Sequence, residues 1–187
     1  MFRKEVRINE GRVGLVFRKG DFLQVLNAGK HKIRHTDGLK IYNRSQAFVP
    51  DGIELNVLLE KNEIVNELTI VEVPDQHLML MYTDRLFTRV LGAGKHAYWK
   101  GVNEYRFELL DLSSAEMITS LSKNLLVNRE LLAFVRLFEV MPAERGVLLV
   151  DGEFVKELTS GMYYFWRNAT PIQVLKTDMR QRQLEIS

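Results

Sequence analysis

The fold is decided by a segment that the chain contains twice: Val25-Leu26-Asn27-Ala28-Gly29-Lys30-His31 and Val90-Leu91-Gly92-Ala93-Gly94-Lys95-His96. The two segments differ at one position, where Asn27 is replaced by Gly92. The match extends backwards, because Phe22 corresponds to Phe87. Repetition at a fixed period of tens of residues is typical of a chain built from copies of one supersecondary unit.

A third, more distant copy lies near the end of the chain. Its Phe154, Leu158 and Gly161 keep the spacing of the phenylalanine, leucine and glycine in the earlier copies. The first and third copies also share glycines at two further positions, Gly14/Gly146 and Gly20/Gly152. Three related units therefore make up most of the sequence.

Each copy has the same order of apolar runs and turns. A run of β-branched and aliphatic residues comes first, as in Val13 to Phe17, and predicts a buried strand. A tight turn comes next, at Gly20 and Gly152 in the outer copies and at Asp84 in the middle one. A second strand then leads to the next glycine turn, at Gly29, Gly94 or Gly161, and to a third strand.

The connecting segments have different periodicities. Ile53, Leu55, Val57 and Leu59 alternate as in a half-buried strand, whereas Ile64, Val65 and Leu68 are spaced as in a short helix. In the second connection, the spacing of four apolar residues predicts a helical stripe: Leu121, Leu125, Leu132 and Val135. Ser120 or Ser122 is the predicted cap of this helix.

These patterns predict an α+β fold that is mostly β. It consists of three tandem copies of a small β-hairpin-based unit, joined by short helices. The predicted units are 1–68, 69–135 and 136–187.

The composition sets limits on function. The chain has 187 residues, no cysteine and a net charge of only +2. Zero cysteine excludes disulfides, thiolate metal sites and cysteine nucleophiles. No apolar run approaches the roughly 20 residues of a membrane-spanning helix, and the start lacks the apolar core of a signal peptide. We therefore expect a cytoplasmic chain, in contact with a membrane at most peripherally.

Two glycine motifs are explained better by turns than by nucleotide binding. Gly92-Ala93-Gly94-Lys95-His96-Ala97 fits a dinucleotide fingerprint and Asp111 lies downstream, but Tyr98-Trp99-Lys100-Gly101 does not begin a helix. A phosphate-binding P-loop is excluded because Arg89 and His96 occupy two of its required positions. We therefore predict no cofactor.

Two sets of residues are candidate metal ligands, and each also has a structural explanation. His77, Met79 and Met81 share one strand face and suit Cu(I), but the other copies have no such ligands at these positions. His31 and His35 would share a face only on a helix, and His31 recurs at the same turn as His96. Turn chemistry or packing explains the histidines better, so we predict no metal ligands.

The charged residues predict no active site. The basic residues Lys30, Lys32, Arg34, Lys40 and Arg44 are a candidate phosphate-binding stretch, but they lack interleaved aromatics apart from Tyr42. Glu63 and Glu67 would share a helix face, which we interpret as solvated. No nucleophile, base and orienting acid form a constellation, and we predict no catalytic residues.

The third copy carries a family resemblance. It contains Glu144-Arg145-Gly146-Val147 and Gly152-Glu153-Phe154-Val155, and it continues to Val174-Leu175-Lys176-Thr177-Asp178-Met179-Arg180-Gln181-Arg182-Gln183-Leu184-Glu185-Ile186-Ser187. This stretch, from Phe138 to Ser187, resembles the entry to the band 7 domain (SPFH: stomatin, prohibitin, flotillin) of slipin-like proteins. The earlier copies resemble the repeated leading region of bacterial slipin family proteins.

The resemblance implies a non-enzymatic scaffold that docks protein partners for a membrane-associated assembly. It also implies that the full-length protein forms homo-oligomers and contacts a membrane through regions outside this chain. We expect this chain to be the leading part of that longer protein. The segment from Val174 to Ile186 is expected to form an exposed edge strand. The alternative is a small β-barrel-like module that binds nucleic acid or glycan through its basic hairpin, and the small net charge disfavours nucleic acid.

Overall fold

The structure is a computed structural model that describes residues 2–180. The chain is mostly β, as the sequence predicts, and the described residues contain four short helices. The first five strands are β1 (Arg3–Ile8), β2 (Arg12–Arg18), β3 (Asp21–Leu26), β4 (Gly29–Arg34) and β5 (Gly38–Asn43). The next elements are α1 (Leu55–Leu58), α2 (Asn62–Glu67), β6 (Leu68–Val73), β7 (His77–Thr83), β8 (Leu86–Leu91), β9 (Gly94–Trp99) and β10 (Tyr105–Asp111). The last are α3 (Lys123–Leu126), α4 (Arg129–Leu132), β11 (Val135–Val140), β12 (Glu144–Val150), β13 (Glu153–Leu158), β14 (Gly161–Trp166) and β15 (Ile172–Asp178).

The same strand pairing occurs three times along the chain. In each group of five strands, the first strand pairs with the fourth, and the second lies between the third and the fifth. The glycines Gly29, Gly94 and Gly161 each begin the fourth strand and lie opposite the last residue of the first. This topology is compatible with three copies of one unit.

The described residues divide into two compact units, which comprise residues 2–73 with 81–107, and 74–80 with 108–180. The predicted boundaries at 1–68, 69–135 and 136–187 stay a prediction, because one compact unit can hold parts of two copies. The predicted edge strand from Val174 is present in β15 as far as Asp178. Met179 and Arg180 are described and do not continue the strand, and Gln181 to Ile186 lie outside the described residues.

The predicted strand over Ile53 to Leu59 is wrong, because Leu55–Leu58 forms helix α1. Leu58 is buried there, and Ile53, Leu55 and Leu59 pack against the same core. The segment also places Leu58 and Leu59 one helical turn after Leu55, so the short apolar pattern fits a helix as well as a strand.

The other helix predictions hold in part. The helix around Ile64 and Val65 is present as α2, but Leu68 already belongs to β6. The single stripe predicted in the second connection is divided into α3 and α4. Ser122 caps α3 by accepting a hydrogen bond from the Leu125 amide, and Asn128 caps α4 through the Glu130 amide.

The central strand β2 is buried on both faces. On its inner face, Val16 packs with Ile8, Leu26 and Ile33. On its outer face, three residues are covered by side chains from later in the chain, and this cluster comprises Val13, Leu15, Phe17, Phe48, Leu58, Ile64, Leu68, Ala97 and Trp99. The first three-stranded sheet is therefore the middle layer of the first compact unit.

Two recurring glycines allow strands to approach closely. A Cβ atom on Gly14 would lie 2.9 Å from Cδ1 of Ile8. A Cβ atom on Gly146 would lie 3.1 Å from Cγ2 of Val140, at the corresponding place in the third group of strands. Any side chain at these positions would push the inner layer away from the sheet.

Three tight turns have a left-handed backbone at both central residues. The φ angles are 54° and 95° at Lys19 and Gly20, and 53° and 81° at Asp151 and Gly152. The middle turn has φ values of 50° at Asp84 and 70° at Arg85. This pattern is that of the two-residue hairpin turn that matches strand twist, and it favours glycine at the second position. The predicted turn glycines are confirmed, and the middle hairpin carries strain at Arg85.

Replacing Arg85 with glycine should therefore stabilise the chain by about 0.5–1 kcal/mol, because the strain of a left-handed side-chain residue exceeds the entropic cost of glycine. Chemical denaturation of the wild type and the variant measures the difference. Arg85→Ala is the matched control, since it removes the same side chain but keeps the strain. An equal gain in both variants would show that the side chain, and not the backbone angle, is responsible.

Candidate interaction surface

A side chain closes the turn before the fourth strand of each group. Nε2 of His31 lies 2.7 Å from the carbonyl oxygen of Asn27, and Nε2 of His96 lies 2.8 Å from that of Gly92. Tyr163 takes the same place in the third group, where its hydroxyl donates to the carbonyl of Thr159 at 2.7 Å. Because a carbonyl only accepts, each histidine donates through Nε2. The geometry supports the turn role predicted for the histidines.

Replacing Tyr163 with phenylalanine should lower the free energy of unfolding by about 0.5–1.5 kcal/mol, because it removes one hydrogen bond without changing the ring. Tyr163→His should recover part of this loss, since histidine makes the same bond in the other two turns. Thermal or chemical unfolding measures both effects. Tyr164→Phe is the control, and a loss there as large as in Tyr163→Phe would contradict the assignment.

The glycine-rich segment from Gly92 to Ala97 has no geometry for binding a dinucleotide. Gly94 begins strand β9, which continues to Trp99. The pyrophosphate of a dinucleotide needs the amide groups of a helix N-terminus directly after the glycines. A strand supplies its amides to the neighbouring strand instead, here β6.

The histidine and methionines of β7 serve the strand and its turn. Nδ1 of His77 lies 2.8 Å from the carbonyl oxygen of Asp75, and Met81 is buried. Within residues 2–180, no group of three or more His, Asp or Glu side chains is arranged to hold a metal ion. The absence of metal ligands stays a prediction.

A buried ion pair that the sequence did not reveal lies beside β4. The carboxylate of Asp37 is 3% exposed and accepts two hydrogen bonds from Arg18, at 2.9 and 3.1 Å. It also accepts from the Arg34 amide. The hydrogen bonds from Arg18 lower the pKa of Asp37 below its ordinary value of 3.8. With these bonds made, Asp37 holds the turn between β4 and β5 and is unsuited to act as a base.

The stabilisation from Asp37 should be lost in acid. Because the folded-state pKa lies below 3.8, the contribution is fully present above that pH and disappears as the pH falls through the lowered pKa. Asp37→Asn should therefore destabilise the chain at neutral pH, and the difference from wild type should narrow below pH 3.8. Melting temperatures from pH 7 to pH 2 measure this. A difference in melting temperature between wild type and Asp37→Asn that stays constant across this pH range would contradict the role of the ion pair.

Part of the predicted basic stretch holds the first unit together. The Nη2 atom of Arg44 lies 2.6 Å from both Glu67 and the side-chain oxygen of Asn27. Lys40 forms an ion pair with Asp51. These two cations are therefore structural, whereas Lys30, Lys32 and Arg34 are exposed on β4.

The two glutamates of α2 are not a merely solvated face, contrary to our interpretation of the sequence. Glu63 accepts a hydrogen bond from the amide of Val25 at 2.7 Å, and Glu67 pairs with Arg44. Glu63 therefore satisfies a backbone amide of β3, which is an edge strand. The contact partners lie far away in sequence, so periodicity could not reveal them.

One cleft in the first unit has polar walls. It has a volume of about 410 Å³ and is lined by Ser45, Gln46, Ala47, Met81, Thr83, Thr88, Arg89, Tyr98, Asn103 and Tyr105. Burial raises the pKa of Tyr98, so its hydroxyl stays protonated at neutral pH. Because no carboxylate or imidazole lines it, the cleft has no group with a pKa suited to a general base near pH 7.

The sheet formed by β13, β12 and β15 has an open apolar face, which we call the outer face of the third sheet. Its members are Val147 and Leu149 on β12, with Phe154 and Leu175 opposite them on the neighbouring strands. Phe154 is 64% exposed and Leu175 is 56% exposed, and the two β12 residues are half-buried. Exposed apolar groups clustered on one face indicate an interaction surface.

The corresponding face of the first sheet is covered. Leu15 and Phe17 occupy the β2 positions of Val147 and Leu149, and Phe22 lies opposite Phe17 as Phe154 lies opposite Leu149. There, the β2 residues are buried by side chains that include Leu58 of α1, Ile64 of α2 and Trp99 of β9. The same strand arrangement therefore has a buried outer face in the first sheet and an exposed outer face in the third sheet.

Comparison of the chain with protein-family models, curated proteins and solved structures finds no match. No helix within residues 2–180 combines the length and apolar character that crossing a bilayer requires.

Proposed function

We propose that this chain is a non-enzymatic scaffold segment of the slipin-like band 7 type, which docks protein partners for a membrane-associated assembly. The observation that carries the proposal is the outer face of the third sheet, where Phe154 and Leu175 are exposed beside Val147 and Leu149. Burying these apolar side chains against a partner would contribute favourable free energy to binding.

The proposal includes three tandem copies of one β unit. Shared strand order, hairpin turns and turn-closing side chains support this. In the first copy, helices α1 and α2, which lie directly after it in the chain, cover the outer face together with Trp99 of β9. The third copy presents the same strand arrangement, and nothing within residues 2–180 covers its outer face in that way, so an equivalent segment could bind there.

The partner we propose is a short amphipathic helical segment with aliphatic side chains, similar in chemistry to residues 53–67. Leu58 and Ile64 of that segment fill the space above the first sheet, where they are fully buried. Phe154 is the natural anchor on the third sheet, because aromatic side chains at the centre of an interface contribute most to affinity. Arg145 and Glu157 lie on the same face at positions held by Val13 and Val25 in the first sheet, and they give the surface a charged rim.

A peptide with the sequence of residues 50–68 should bind the intact chain on the outer face of the third sheet. In nuclear magnetic resonance titrations, saturable shifts are expected at amides of β12, β13 and β15. Phe154→Asp should weaken binding at least tenfold, as expected for an interface anchor. Leu86→Asp, which also replaces an exposed apolar residue with aspartate, is the matched control and should bind normally.

Three results would contradict the proposal. One is the absence of shifts in β13 at saturating peptide, and another is binding that Phe154→Asp leaves intact. The third is concentration-dependent shifts in β13 without peptide, abolished by Phe154→Asp, which would assign the face to a second copy of the chain.

A further inference from the structure

The two-stranded sheet of β1 and β4 has a strongly basic face. Its three cross-strand pairs on that face are Arg3 with Arg34, Glu5 with Lys32, and Arg7 with Lys30. All six side chains are exposed. The alternate residues, among them Ile8 and Ile33, point into the core of the first unit and fix the orientation of the sheet. We call the three outward pairs the basic face.

This arrangement of like charges on neighbouring strands destabilises the sheet. Two of the three pairs place cations directly opposite each other, which is unfavourable in an antiparallel ladder. The single carboxylate, Glu5, contacts Lys30 only loosely, at 3.8 Å. A sheet selected for stability alone would alternate the signs of its charges.

The fold itself does not require these cations. The pairs at the same positions of β6 and β9 are Leu68 with Trp99, Ile70 with Ala97, and Glu72 with Lys95, and three of these residues, Leu68, Ala97 and Trp99, are buried. Those of β11 and β14 are Val135 with Trp166, Leu137 with Tyr164, and Glu139 with Met162. The same pairing is therefore built without opposed cations twice in this chain. The face carries five cations and one carboxylate, a net charge of +4, whereas the whole chain has a net charge of +2.

We propose that the basic face binds the surface of a membrane that contains anionic lipids. Successive pairs are spaced by two residues, about 7 Å along the strands, so the five cations form one flat patch. Such a patch suits a layer of charged headgroups, to which each Lys or Arg adds attraction within a Debye length. Their long side chains let the charges reach the headgroups while the strands stay above them.

Nucleic acid fits this face less well. Proteins that bind single strands combine cations with aromatic side chains on which bases stack, and none of the six residues of the face is aromatic. Sequence-specific recognition of a duplex uses a helix or a β-ribbon that enters a groove, whereas this two-stranded sheet packs its other face against the core through Ile8 and Ile33. The chemistry points to a planar anionic surface.

Sedimentation of the intact chain with lipid vesicles tests the proposal. Vesicles of phosphatidylcholine containing about one third phosphatidylserine should bind the chain, and vesicles of pure phosphatidylcholine should not. Binding should fall steeply when the ionic strength rises from about 0.1 M to about 0.5 M. Replacing Arg7, Lys30 and Lys32 together with alanine should reduce the partition coefficient on the order of a hundredfold, since each cation contributes roughly fivefold.

The matched control replaces Lys61, Lys123 and Lys156 with alanine, which changes the net charge equally at exposed residues that are not part of the basic face. This variant should bind vesicles within about twofold of wild type. Melting curves of both triple variants show whether the fold is intact. Phe154→Asp should also bind normally, so failure of this proposal is distinguishable from failure of the docking proposal.

Four outcomes would overturn the inference. They are no binding to anionic vesicles, equal binding to neutral vesicles, an equal loss in the control variant, and tighter binding to DNA or RNA oligonucleotides through the same cations. Inorganic phosphate at millimolar concentration should not displace the chain from vesicles. Displacement by phosphate would show a site for a free anion in place of a membrane surface.

Discussion

A three-stranded sheet has two faces, and the five strands of one group supply a cover for only one of them. In both compact units, the inner face packs against the accompanying two-stranded sheet through residues such as Ile8 and Val140. The outer face of the first sheet is buried by later segments of the chain, which include α1, α2 and Trp99. The first sheet therefore depends on neighbouring segments of the chain for the burial of its second face.

The charges of the first unit are divided between structural and outward-facing roles. Asp37 is held by Arg18, and Arg44 links the end of β5 to Glu67. These pairs satisfy charges that the fold brings close to the core. By contrast, the five cations of the basic face are exposed to solvent. The proposed activities of this chain therefore reside on surfaces, an apolar one and a basic one, and neither requires a catalytic pocket.

Much of the fold was predictable because the strands and turns repeat. Gly20 and Gly152 were identified from spacing, and their backbone angles agree. The segment from Ile53 to Leu59 was mispredicted as a strand, because four apolar residues at alternate positions do not distinguish a strand from one helical turn. Glu63 was interpreted as solvated, although it satisfies the amide of Val25, because its partner is distant in sequence.

The sequence by itself determined the unit: its strands, its hairpin turns, its strand-facing glycines and the residues that close its turns. These features depend on local backbone geometry and on a period of two, which can be read from consecutive residues. Only the tertiary structure decided which faces are covered. Phe154 is exposed on the outer face of the third sheet. Leu15 and Phe17, on the same face of the first sheet, are buried by segments that are distant in the sequence. Likewise, Lys30 was visible as part of a basic stretch, but its place opposite Arg7 is set by strand register, which joins residues far apart along the chain.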